Sequence, residues 1–559
     1  MNFSEDHDVI VIGAGAGGMT AACVAAAEGL ATLLIEKADR VGGTTSVSGG
    51  MVWVPANAKM RAAGLPDSLE QARLYLSHTV PGDFQRELRE VFLTRAPEAV
   101  EYLETHTALA LKPVTFYPDY YPDLPGATLG GRVLEPVPFD GRELGRHFGL
   151  LRPPLPEFTL FGGMMVDRAD IPHFRKAWRS LPSALRVARV VARHVRDRLS
   201  FDRGAHLVLG NALAARLLKS VVTLDVKLRT STQSASLAME GRRVAGVTLA
   251  DGTHLRARRG VVLAAGGFSN DAELRSRYLP AETGPSSAAC PTNSGDGLRF
   301  GLAAGGRMVE ENTNNAYWTP VSRFRRADGT PAVYPHTVTD RGKPGFIAVD
   351  RRGQRFTNEA VSYHEFVQAM FRAHAIPAFL ICDRASLWKY GLGAVKPFTA
   401  SLGAYTASGY LVRGSSIRAL AEALSIDPAA LEATVLRYNE DARAGVDRAF
   451  RKGSNAYGKY LGDADHTPNP CVAPLERAPF HAVALYPGDL GTSAGLRTNV
   501  HAQVLDASGA PIAGLYACGN DMSSIMNGGY PGPGITLGPA LTFGYVAGRH
   551  LARVESTAG

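Results

Sequence analysis

The chain has 559 residues, of which 45% are hydrophobic and 20% charged, and its net charge is +8. This balance is typical of globular proteins, and the length exceeds that of one ordinary core, so we expect two interleaved domains. No run approaches the roughly 18 apolar residues of a membrane-spanning helix, and the first apolar strand begins at Val9 behind a short acidic leader. We therefore expect no signal peptide and a cytoplasmic location.

The cysteines are scattered along the chain without a Cys-x-x-Cys pair. This spacing argues against a disulfide framework and against a zinc site. We expect no bound metal, and we expect small core residues at Cys23, Cys290, Cys382, Cys471 and Cys518.

The first elements are a buried strand, a glycine turn and an alanine-rich helix, in the stretch "DVIVIGAGAGGMTAACVAAAEG". Gly13 permits a tight turn, Gly15 lets a pyrophosphate approach the backbone, and Gly18 lets the helix pack close to the strand. A second strand, 31–35, ends in Glu36, whose carboxylate suits a ribose hydroxyl and excludes a 2′-phosphate. This order predicts a dinucleotide site formed by Gly13, Gly15, Ala16, Gly17, Gly18, Glu36 and Lys37.

A second cluster of glycines and hydroxyl residues follows in "RVGGTTSVSGGMVWVP". It resembles the segment that lines the pyrophosphate and the isoalloxazine ring in two-domain flavoproteins, and nicotinamide enzymes lack it. Two later buried strands, in 260–271 and 515–521, end in small residues such as those flavoproteins use to return to the cofactor. These segments predict FAD, with further contacts from Gly42, Gly43, Thr44, Thr45, Ser48, Gly49, Gly50, Ala265, Gly266, Gly267, Asp296, Gly519, Asn520, Thr536 and Leu537.

The mode of FAD attachment follows from a missing residue type. No histidine lies between Arg40 and Pro66. Related succinate-oxidising subunits carry in this segment the histidine that bonds covalently to flavin. We therefore expect non-covalent FAD.

Residues 174–201 are strongly basic, with Asp197 as their only acid. Apolar residues recur there at helical spacing, which predicts one basic amphipathic helix within an insertion at about 165–205. The segment is either a solvated charged face above an apolar stripe in the core, or a peripheral contact with the inner face of an anionic membrane. Nucleic acid is not expected, because no aromatic residues interleave with the charges. The apolar stripe is Leu181, Leu185, Ala188, Ala192, Val195 and Leu199.

Alternating strands that turn at "EGRR" and "ADGT" precede the strand of 260–271. The fold class predicted is α/β, with a Rossmann-like FAD-binding domain and an inserted α+β catalytic, or capping, domain. We assign residues 1–320 and 490–559 to the FAD-binding domain. Residues 321–489 form the catalytic domain in this division.

Three motifs carry a family resemblance: "DYYPDLPG" from Asp119, "RFTNEAVSYHEF" with Tyr363, and "YPGPG" from Tyr530. With the cofactor segments, they resemble the 3-ketosteroid Δ1-dehydrogenases, within the fumarate reductase/succinate dehydrogenase flavoprotein superfamily. Fumarate reductases place an arginine proton donor where this chain has Tyr363, and their dicarboxylate-binding His and Arg are missing here. The resemblance implies a neutral carbonyl substrate and the catalytic residues Tyr363, Tyr530, Gly534, Tyr120 and Tyr121.

Dehydrogenation beside a ketone needs a base for the α-proton and donors for the developing enolate oxygen. The Tyr530 hydroxyl and the Gly534 N–H could serve as these donors, because a stiff Pro-Gly-Pro-Gly turn fixes their relative position. Tyr363 fits the base if a neighbouring phenol, Tyr120 and next Tyr121, lowers its pKa together with a positive charge or a helix dipole. His364 is the nearest alternative base, but we expect it to point elsewhere.

Three hypotheses for function stay open. The first is an FAD-dependent dehydrogenase that introduces a double bond α,β to a cyclic ketone, the 1,2-bond of a 3-ketosteroid above all. The second is the same reaction on a smaller ring, such as a cyclohexanone. The third is a non-enzymatic flavin-binding or lipid-carrying module. For either enzyme we expect an external electron acceptor, which is a quinone, an electron-transfer protein or oxygen.

Overall fold

The structure is a computed structural model that describes residues 3–554. In chain order its strands are β1 Glu5–Ile12, β2 Thr32–Ile35, β3 Val52–Trp53, β4 Leu111–Pro113, β5 Val133–Pro136, β6 Phe139–Asp140, β7 His206–Leu207, β8 Lys227–Arg229, β9 Ser234–Glu240, β10 Arg243–Leu249, β11 His254–Leu263, β12 Ala316–Arg325, β13 Pro331–Pro335, β14 Phe346–Val349, β15 Ala378–Asp383, β16 Val412–Gly414, β17 Phe480–Thr492, β18 Gln503–Leu505 and β19 Pro511–Ala517.

The α-helices occur throughout the described chain. In chain order they are α1 Ala16–Ala27, α2 Gly43–Val47, α3 Ala58–Ala62, α4 Leu69–Thr79, α5 Arg86–His106, α6 Ile171–Lys176, α7 Leu181–Arg198, α8 Leu209–Thr223, α9 Ala272–Tyr278, α10 Asp296–Ala303, α11 Tyr363–Arg372, α12 Arg384–Tyr390, α13 Gly403–Ala407, α14 Ile417–Leu424, α15 Pro428–Arg443, α16 Ala456–Leu461 and α17 Leu537–Arg553.

The larger sheet has the strand order β18-β19-β11-β1-β2-β8. Its central strands β2, β1, β11 and β19 run parallel, with Ile12 opposite Ile35 and Leu263 at their carboxyl ends. The run Val9–Ile12 is buried because α1 and α17 cover this region of the sheet, which is why it is continuously apolar rather than alternating. Parallel strands end at one edge, so the turns after β1, β2, β11 and β19 meet there.

The antiparallel pairs β9–β10 and β10–β11 confirm the two turns predicted before the strand of 260–271. The second sheet, with the order β13-β12-β17-β15-β14, is antiparallel, and β16 also pairs with β17. The mixed architecture confirms the predicted α/β class. The boundaries of the two domains stay a prediction.

The segment 174–201 differs from the single helix predicted for it. It contains the end of α6 and the whole of α7, separated at residues 177–180, because the proline that follows Leu181 suits a helix start and not a helix interior. The apolar stripe is exposed, and the buried side of α7 carries Ser183, Val190, His194 and Asp197 instead. The interpretation of the stripe as core is therefore wrong.

Within residues 3–554, no helix has the length and apolar content needed to cross a bilayer. In the same part of the chain no cluster of His, Cys, Asp and Glu could hold a metal ion. The cysteines, all in the described range, are free and buried. This confirms that they are core residues.

Candidate active site

The glycine turn after β1 meets two different requirements. A Cβ on Gly13, whose φ is +104°, would lie 2.3 Å from the carbonyl oxygen of Ala264, and one on Gly18 would lie 1.9 Å from that of Gly13. The packing of the strands and α1 therefore requires these two glycines. A Cβ on Gly15 would meet only Thr45 Oγ1, at 4.0 Å. The protein thus leaves open space at Gly15, beside the first turn of α1.

Two other predicted glycines border the same space. Gly43 has φ +45°, and a Cβ on it would meet only the Cα of Gly15, at 3.9 Å. Gly519 has φ +61° with no described heavy atom within 4 Å of such a Cβ, and it lies against Gly17. A Cβ at these positions would fill a cradle at the N-terminus of α1, where backbone N–H groups favour an anion. The cradle fits the pyrophosphate of a dinucleotide.

Glu36 and Lys37 lie where β2 ends. The buried Glu36 carboxylate accepts hydrogen bonds from the Ala14 and Ala38 amides, both at 2.9 Å. Lys37 Nζ donates to Asp296 at the start of α10, at 2.7 Å. The carboxylate is thus fixed beside the glycine turn, as a ribose partner requires, and Lys37 ties β2 to α10.

The second glycine cluster is tied to the other strand ends. Thr45 Oγ1 accepts from the Ala16 amide at 3.1 Å, so it occupies the first N–H of α1. Thr44 Oγ1 accepts from Asn293 Nδ2 at 3.0 Å, and the same amide donates to the Gly266 oxygen at 2.9 Å. Residues 42–50 and 265–267 therefore lie together, which places side by side Gly42, Gly43, Thr44, Thr45, Ser48, Gly49, Gly50, Ala265, Gly266 and Gly267.

Asp521 links the last two predicted segments, and the sequence motif did not single it out. Its carboxylate accepts from the Ala265 amide at 2.5 Å and from the Gly267 amide at 3.0 Å. Burial raises its pKa to about 6, against the effect of these hydrogen bonds. The residue follows Gly519 and Asn520 in the short turn after β19. The sequence feature that could have identified Asp521 is its position directly after a predicted buried strand.

A small cavity lies beside this turn. Its lining includes Asn520, Thr536, Tyr317 and Ser524. Thr536 directly precedes α17, whose first residue is Leu537. The predicted cofactor residues Gly519, Asn520 and Thr536 therefore share this cavity with Tyr317.

Three of the predicted catalytic tyrosines, Tyr120, Tyr363 and Tyr530, form one buried cluster. The ring centroid of Tyr530 lies 5.3 Å from that of Tyr363 and 5.5 Å from that of Tyr120. Tyr317 is also 5.5 Å from Tyr530, and Tyr457 is 4.8 Å from Tyr120. Sequence reasoning missed Tyr317 and Tyr457, because neither lies in a recognisable motif.

Tyr363 occupies the first turn of α11. Its hydroxyl donates to the Tyr530 hydroxyl at 2.8 Å, and Ser362 caps the helix by accepting from the Glu365 amide at 3.2 Å. A helix N-terminus favours negative charge, so it stabilises a phenolate at Tyr363. Within residues 3–554 the Tyr120 hydroxyl makes no hydrogen bond of ordinary geometry, but it lies close enough to Tyr363 to lower the pKa of that phenol.

The electrostatics of the cluster differ from the expectation of a lowered pKa. Burial raises the pKa of Tyr363 well above that of free tyrosine, and the nearby Tyr530 adds to this, while the Tyr120 hydroxyl acts in the opposite direction. Burial likewise raises the pKa of Tyr530 and of Tyr120. A phenol in an apolar site loses the hydration of its anion, which explains the direction. The resting cluster is therefore neutral.

A buried guanidinium lies behind this cluster. Arg341 Nη1 donates to the carbonyl oxygens of Glu359 and Val361, at 2.9 and 3.2 Å, and so fixes the chain just before α11. Burial raises the pKa of Tyr457, and the charge of Arg341 opposes that increase. Arg341 therefore holds the segment that carries Tyr363 and places a positive charge near the phenols.

His364 lies closer than expected. Its ring centroid is 5.5 Å from that of Tyr530, so the expectation that it points elsewhere is wrong: in the first turn of α11 both Tyr363 and His364 face the cluster. Its Nδ1 accepts from the Trp318 amide at 3.1 Å, which leaves the ring proton on Nε2. Burial lowers the pKa of His364 to about 3. A neutral ring with no vacant nitrogen is a poor base.

The Tyr530–Gly534 turn is held by backbone contacts. The Pro531 oxygen accepts from the Tyr120 amide at 3.0 Å and from the Tyr75 hydroxyl at 2.6 Å. Gly534 has φ +96°, and a Cβ on it would lie 2.6 Å from the Met51 carbonyl. Its N–H donates no hydrogen bond to any residue of 3–554. A free amide near a phenol is what a ketone oxygen needs.

The segment of Tyr120 and Tyr121 is anchored by a buried ion pair. Asp119 accepts from Trp53 Nε1 at 2.8 Å and pairs with Arg132 at 2.9 Å. Tyr121, also named from the resemblance, forms no ring contact with Tyr363 or Tyr530 in the described chain. The structure brings Tyr120 into the cluster and leaves Tyr121 beside it.

The chain is similar to known flavoproteins and dehydrogenases. A family described as "FAD binding domain" matches residues 8–537. The chain is 39% identical over 558 residues to the 4-oxocyclohex-2-ene-1-carboxylate 5-dehydrogenase of Sinomonas cyclohexanicum, covering 98% of this chain and 94% of that protein. It is 35% identical over 567 residues to the 3-oxosteroid 1-dehydrogenase of Mycobacterium tuberculosis, with 98% of each covered.

Among solved structures, the 3-ketosteroid Δ1-dehydrogenase from Sterolibacterium denitrificans, in complex with 1,4-androstadiene-3,17-dione, matches with a TM-score of 0.92. It is 38% identical, and the match covers 98% of this chain and 100% of that one. These relatives are dehydrogenases, which contradicts the hypothesis of a non-enzymatic module. The protein is an FAD-dependent oxidoreductase, and the chain belongs to the 3-ketosteroid Δ1-dehydrogenase family of the fumarate reductase/succinate dehydrogenase flavoprotein superfamily.

Proposed function

We propose that the protein introduces a double bond α,β to the carbonyl of a cyclic ketone, with the 1,2-bond of a 3-ketosteroid as its first substrate class. The observation that carries this proposal is the hydrogen bond from the Tyr363 hydroxyl to the Tyr530 hydroxyl, in a turn whose Gly534 N–H donates to no residue of 3–554. Such an arrangement offers one oxygen to take a proton and two donors for an oxyanion. The domain of residues 321–489 supplies Tyr363 in this proposal.

The ketone oxygen accepts hydrogen bonds from the Tyr530 hydroxyl and the Gly534 N–H. As the α-proton leaves, negative charge grows on this oxygen, and both donors stabilise it more strongly than in the ground state. Tyr530 keeps its own hydrogen for this purpose, because in its contact with Tyr363 it is the acceptor. The stiff backbone of the turn keeps the two donors in place at little entropic cost.

Tyr363 takes the α-proton as a phenolate. The N-terminus of α11 and the Tyr120 hydroxyl stabilise that anion, while burial opposes it. When bound, FAD would serve as the oxidant that accepts the hydride from the β-carbon. The surrounding aromatic rings exclude water, which strengthens each of these electrostatic contacts.

The residues proposed to hold FAD are those that form the cradle. Gly15, Gly43 and Gly519 leave its space open, and Glu36 accepts from the ribose. The absence of histidine between Arg40 and Pro66 supports non-covalent attachment. The external electron acceptor is a quinone, an electron-transfer protein or oxygen. We further propose a cytoplasmic location with peripheral contact of 174–201 at the inner face of the membrane.

A second substrate class is a monocyclic ketone. The identity of 39% to an enzyme named for an oxocyclohexene carboxylate, close to that of the steroid enzymes, favours it. Both classes present the same carbonyl to Tyr530 and Gly534, and they differ only at the far end of the molecule.

Anaerobic mixing of the oxidised enzyme with single substrates tests the proposal. The flavin absorbance near 450 nm should bleach within the turnover time for one class, and mass spectrometry should find a product lighter by two hydrogens. A panel of 3-ketosteroids and substituted cyclohexanones identifies the class. Bleaching by neither class would contradict the proposed function.

A further inference from the structure

Helix α7 presents its apolar side to solvent. At about 100° per residue, the apolar stripe lies on the side of α7 opposite to that of Ser183, Val190, His194 and Asp197. The exposed fractions of four of its side chains are 73% at Leu181, 60% at Leu185, 57% at Val195 and 82% at Leu199. A surface helix normally buries such a stripe, so the orientation of α7 is inverted.

Polar contacts hold the helix in this orientation. His194 Nε2 bonds to the Phe161 oxygen at 2.9 Å, and Asp197 Oδ2 accepts from the Ala205 amide at 3.0 Å. These partners lie on either side of α7 in the chain, so the helix is clamped through its polar side. The apolar side is therefore exposed because of specific contacts, and not because the helix is loosely attached.

Arginines flank the exposed stripe. Arg189 and Arg196 lie within about 80° of its centre on one side. Neither forms an ion pair within the part of the chain that the structure describes. An exposed apolar stripe bordered by unpaired arginines is the pattern of helices that lie in the interface of an anionic bilayer.

Two exposed tryptophans, Trp178 and Trp388, lie near the start of α7, where both contact Phe398. Trp178, just before α7, is 60% exposed and meets Phe398 edge to face at 5.0 Å. Trp388, 48% exposed, also meets Phe398 edge to face, at 5.7 Å. Tryptophan is enriched at the membrane–water interface, because its ring is apolar and its N–H needs a polar partner.

We propose that the apolar side of α7, together with Trp178 and Trp388, forms a docking face for an anionic phospholipid bilayer. The inference rests on the proposed peripheral contact of 174–201 and names the residues that make it. A second copy of the chain is a poorer occupant, because it would bring the same unpaired arginines against each other. A protein with net charge +8 also gains from negative headgroups beyond the docking face.

The insertion that carries the docking face also contacts tyrosines next to the cluster, through Arg168. Arg168, in the same insertion, lies 5.3 Å above the ring of Tyr117 and donates to the Tyr460 hydroxyl at 2.9 Å. Tyr460 belongs to α16, which also carries Tyr457 of the cluster. The insertion that carries the docking face therefore packs against residues that neighbour the tyrosine cluster.

Co-sedimentation of the FAD-loaded enzyme with vesicles tests the docking face. The enzyme should bind vesicles of phosphatidylcholine with phosphatidylglycerol, and it should not bind phosphatidylcholine alone. Replacing Arg189 and Arg196 by glutamine should weaken binding about fivefold per charge. The triple variant Leu181→Ser, Leu185→Ser, Leu199→Ser should lose it. The matched controls, Leu436→Ser on α15 and Arg242→Gln, both at exposed positions, should bind like wild type.

A second measurement does not depend on these variants. Brominated lipids should quench the fluorescence of Trp178 and Trp388, and Trp178→Phe should remove part of the quenching. All variants should reduce their flavin with a soluble ketone at the wild-type rate, which separates docking from catalysis. Equal binding to neutral vesicles, absence of quenching, or a self-association that the triple variant abolishes would each overturn the proposal.

Discussion

The Tyr363 hydroxyl donates a hydrogen bond to the Tyr530 hydroxyl at 2.8 Å, although the two residues are 167 positions apart in the chain. Tyr363 is the first residue of α11, and Tyr530 lies in the loop before α17. The contact keeps Tyr363 neutral at rest and leaves the Tyr530 hydrogen available for a ketone oxygen. Proton removal from Tyr363 therefore costs this hydrogen bond as well as the burial of a charge.

Tyr363→Phe should slow flavin reduction by about 10² to 10⁴, as expected when a general base is lost. The ketone should still bind, since the hydroxyl acts mainly in the transition state. Stopped-flow reduction under anaerobic conditions measures the rate, and difference spectra measure binding. Tyr438→Phe is the matched control, because Tyr438 is also buried and its hydroxyl has no described partner. A near wild-type rate in Tyr363→Phe, with a large loss in His364→Ala, would show that the base is the histidine.

Tyr530→Phe should lower the reduction rate by about 10² to 10³ through the loss of one oxyanion donor. The variant should retain its FAD, since Tyr530 does not contact the cradle glycines. Because Tyr530 raises the pKa of Tyr363, its removal should also shift the pH dependence to lower pH. Unchanged turnover would place the carbonyl elsewhere, and an upward shift of the profile would contradict the effect of Tyr530 on the pKa of Tyr363.

The reduction rate should rise with pH, because only the phenolate of Tyr363 accepts the α-proton. Since burial raises its pKa well above that of free tyrosine, kcat/KM should increase about tenfold per pH unit through the neutral and mildly alkaline range. Tyr120 acts to lower that pKa, so Tyr120→Phe should move the profile to higher pH. A pH-independent rate in the wild type, confirmed with a non-sticky substrate, would contradict a phenol base.

Gly15→Ala should fold normally and bind FAD more weakly. Its φ of −82° is ordinary for alanine, and the added Cβ meets only one protein atom, at 4.0 Å. The methyl group would instead occupy the cradle, so FAD affinity should fall by about tenfold or more, equivalent to about 1.4 kcal/mol. Gly18→Ala is the contrasting variant, because its Cβ would lie 1.9 Å from a carbonyl oxygen and should lower the Tm of the apoprotein. Equal FAD affinity in Gly15→Ala and wild type would place the pyrophosphate elsewhere.

Glu36→Ala should weaken FAD binding by about 1 to 3 kcal/mol, because a buried acceptor is lost. Part of this loss would arise because the Ala14 and Ala38 amides, which donate hydrogen bonds to the carboxylate, would lose their acceptor. Glu36→Gln keeps one acceptor oxygen and should have a smaller effect. FAD titration of the apoprotein, followed by flavin fluorescence, measures both, and Asp39→Asn, at an exposed neighbouring position, serves as control. Full retention of FAD by Glu36→Ala would contradict a ribose contact.

The cofactor side of the molecule could be predicted from the sequence, because its signals are local. The glycine turn, the acidic residue after β2 and the small residues after β11 each lie within a few positions of a strand end. Parallel strands then bring these ends to one edge without further information. The tyrosines of the motifs were named for the same reason, since Tyr530 lies within its own Pro-Gly turn.

Only the tertiary structure decided which hydroxyls meet. Tyr317 and Tyr457 joined the cluster through packing between distant elements, and the partner of Tyr363 proved to be Tyr530 rather than Tyr120. The sequence of α7 determined an apolar stripe and a basic flank, but it did not determine which side faces the protein. The side of a helix that faces the protein is the side that forms favourable tertiary contacts. Here these contacts are the hydrogen bonds of His194 and Asp197, whose partners no local sequence pattern indicates.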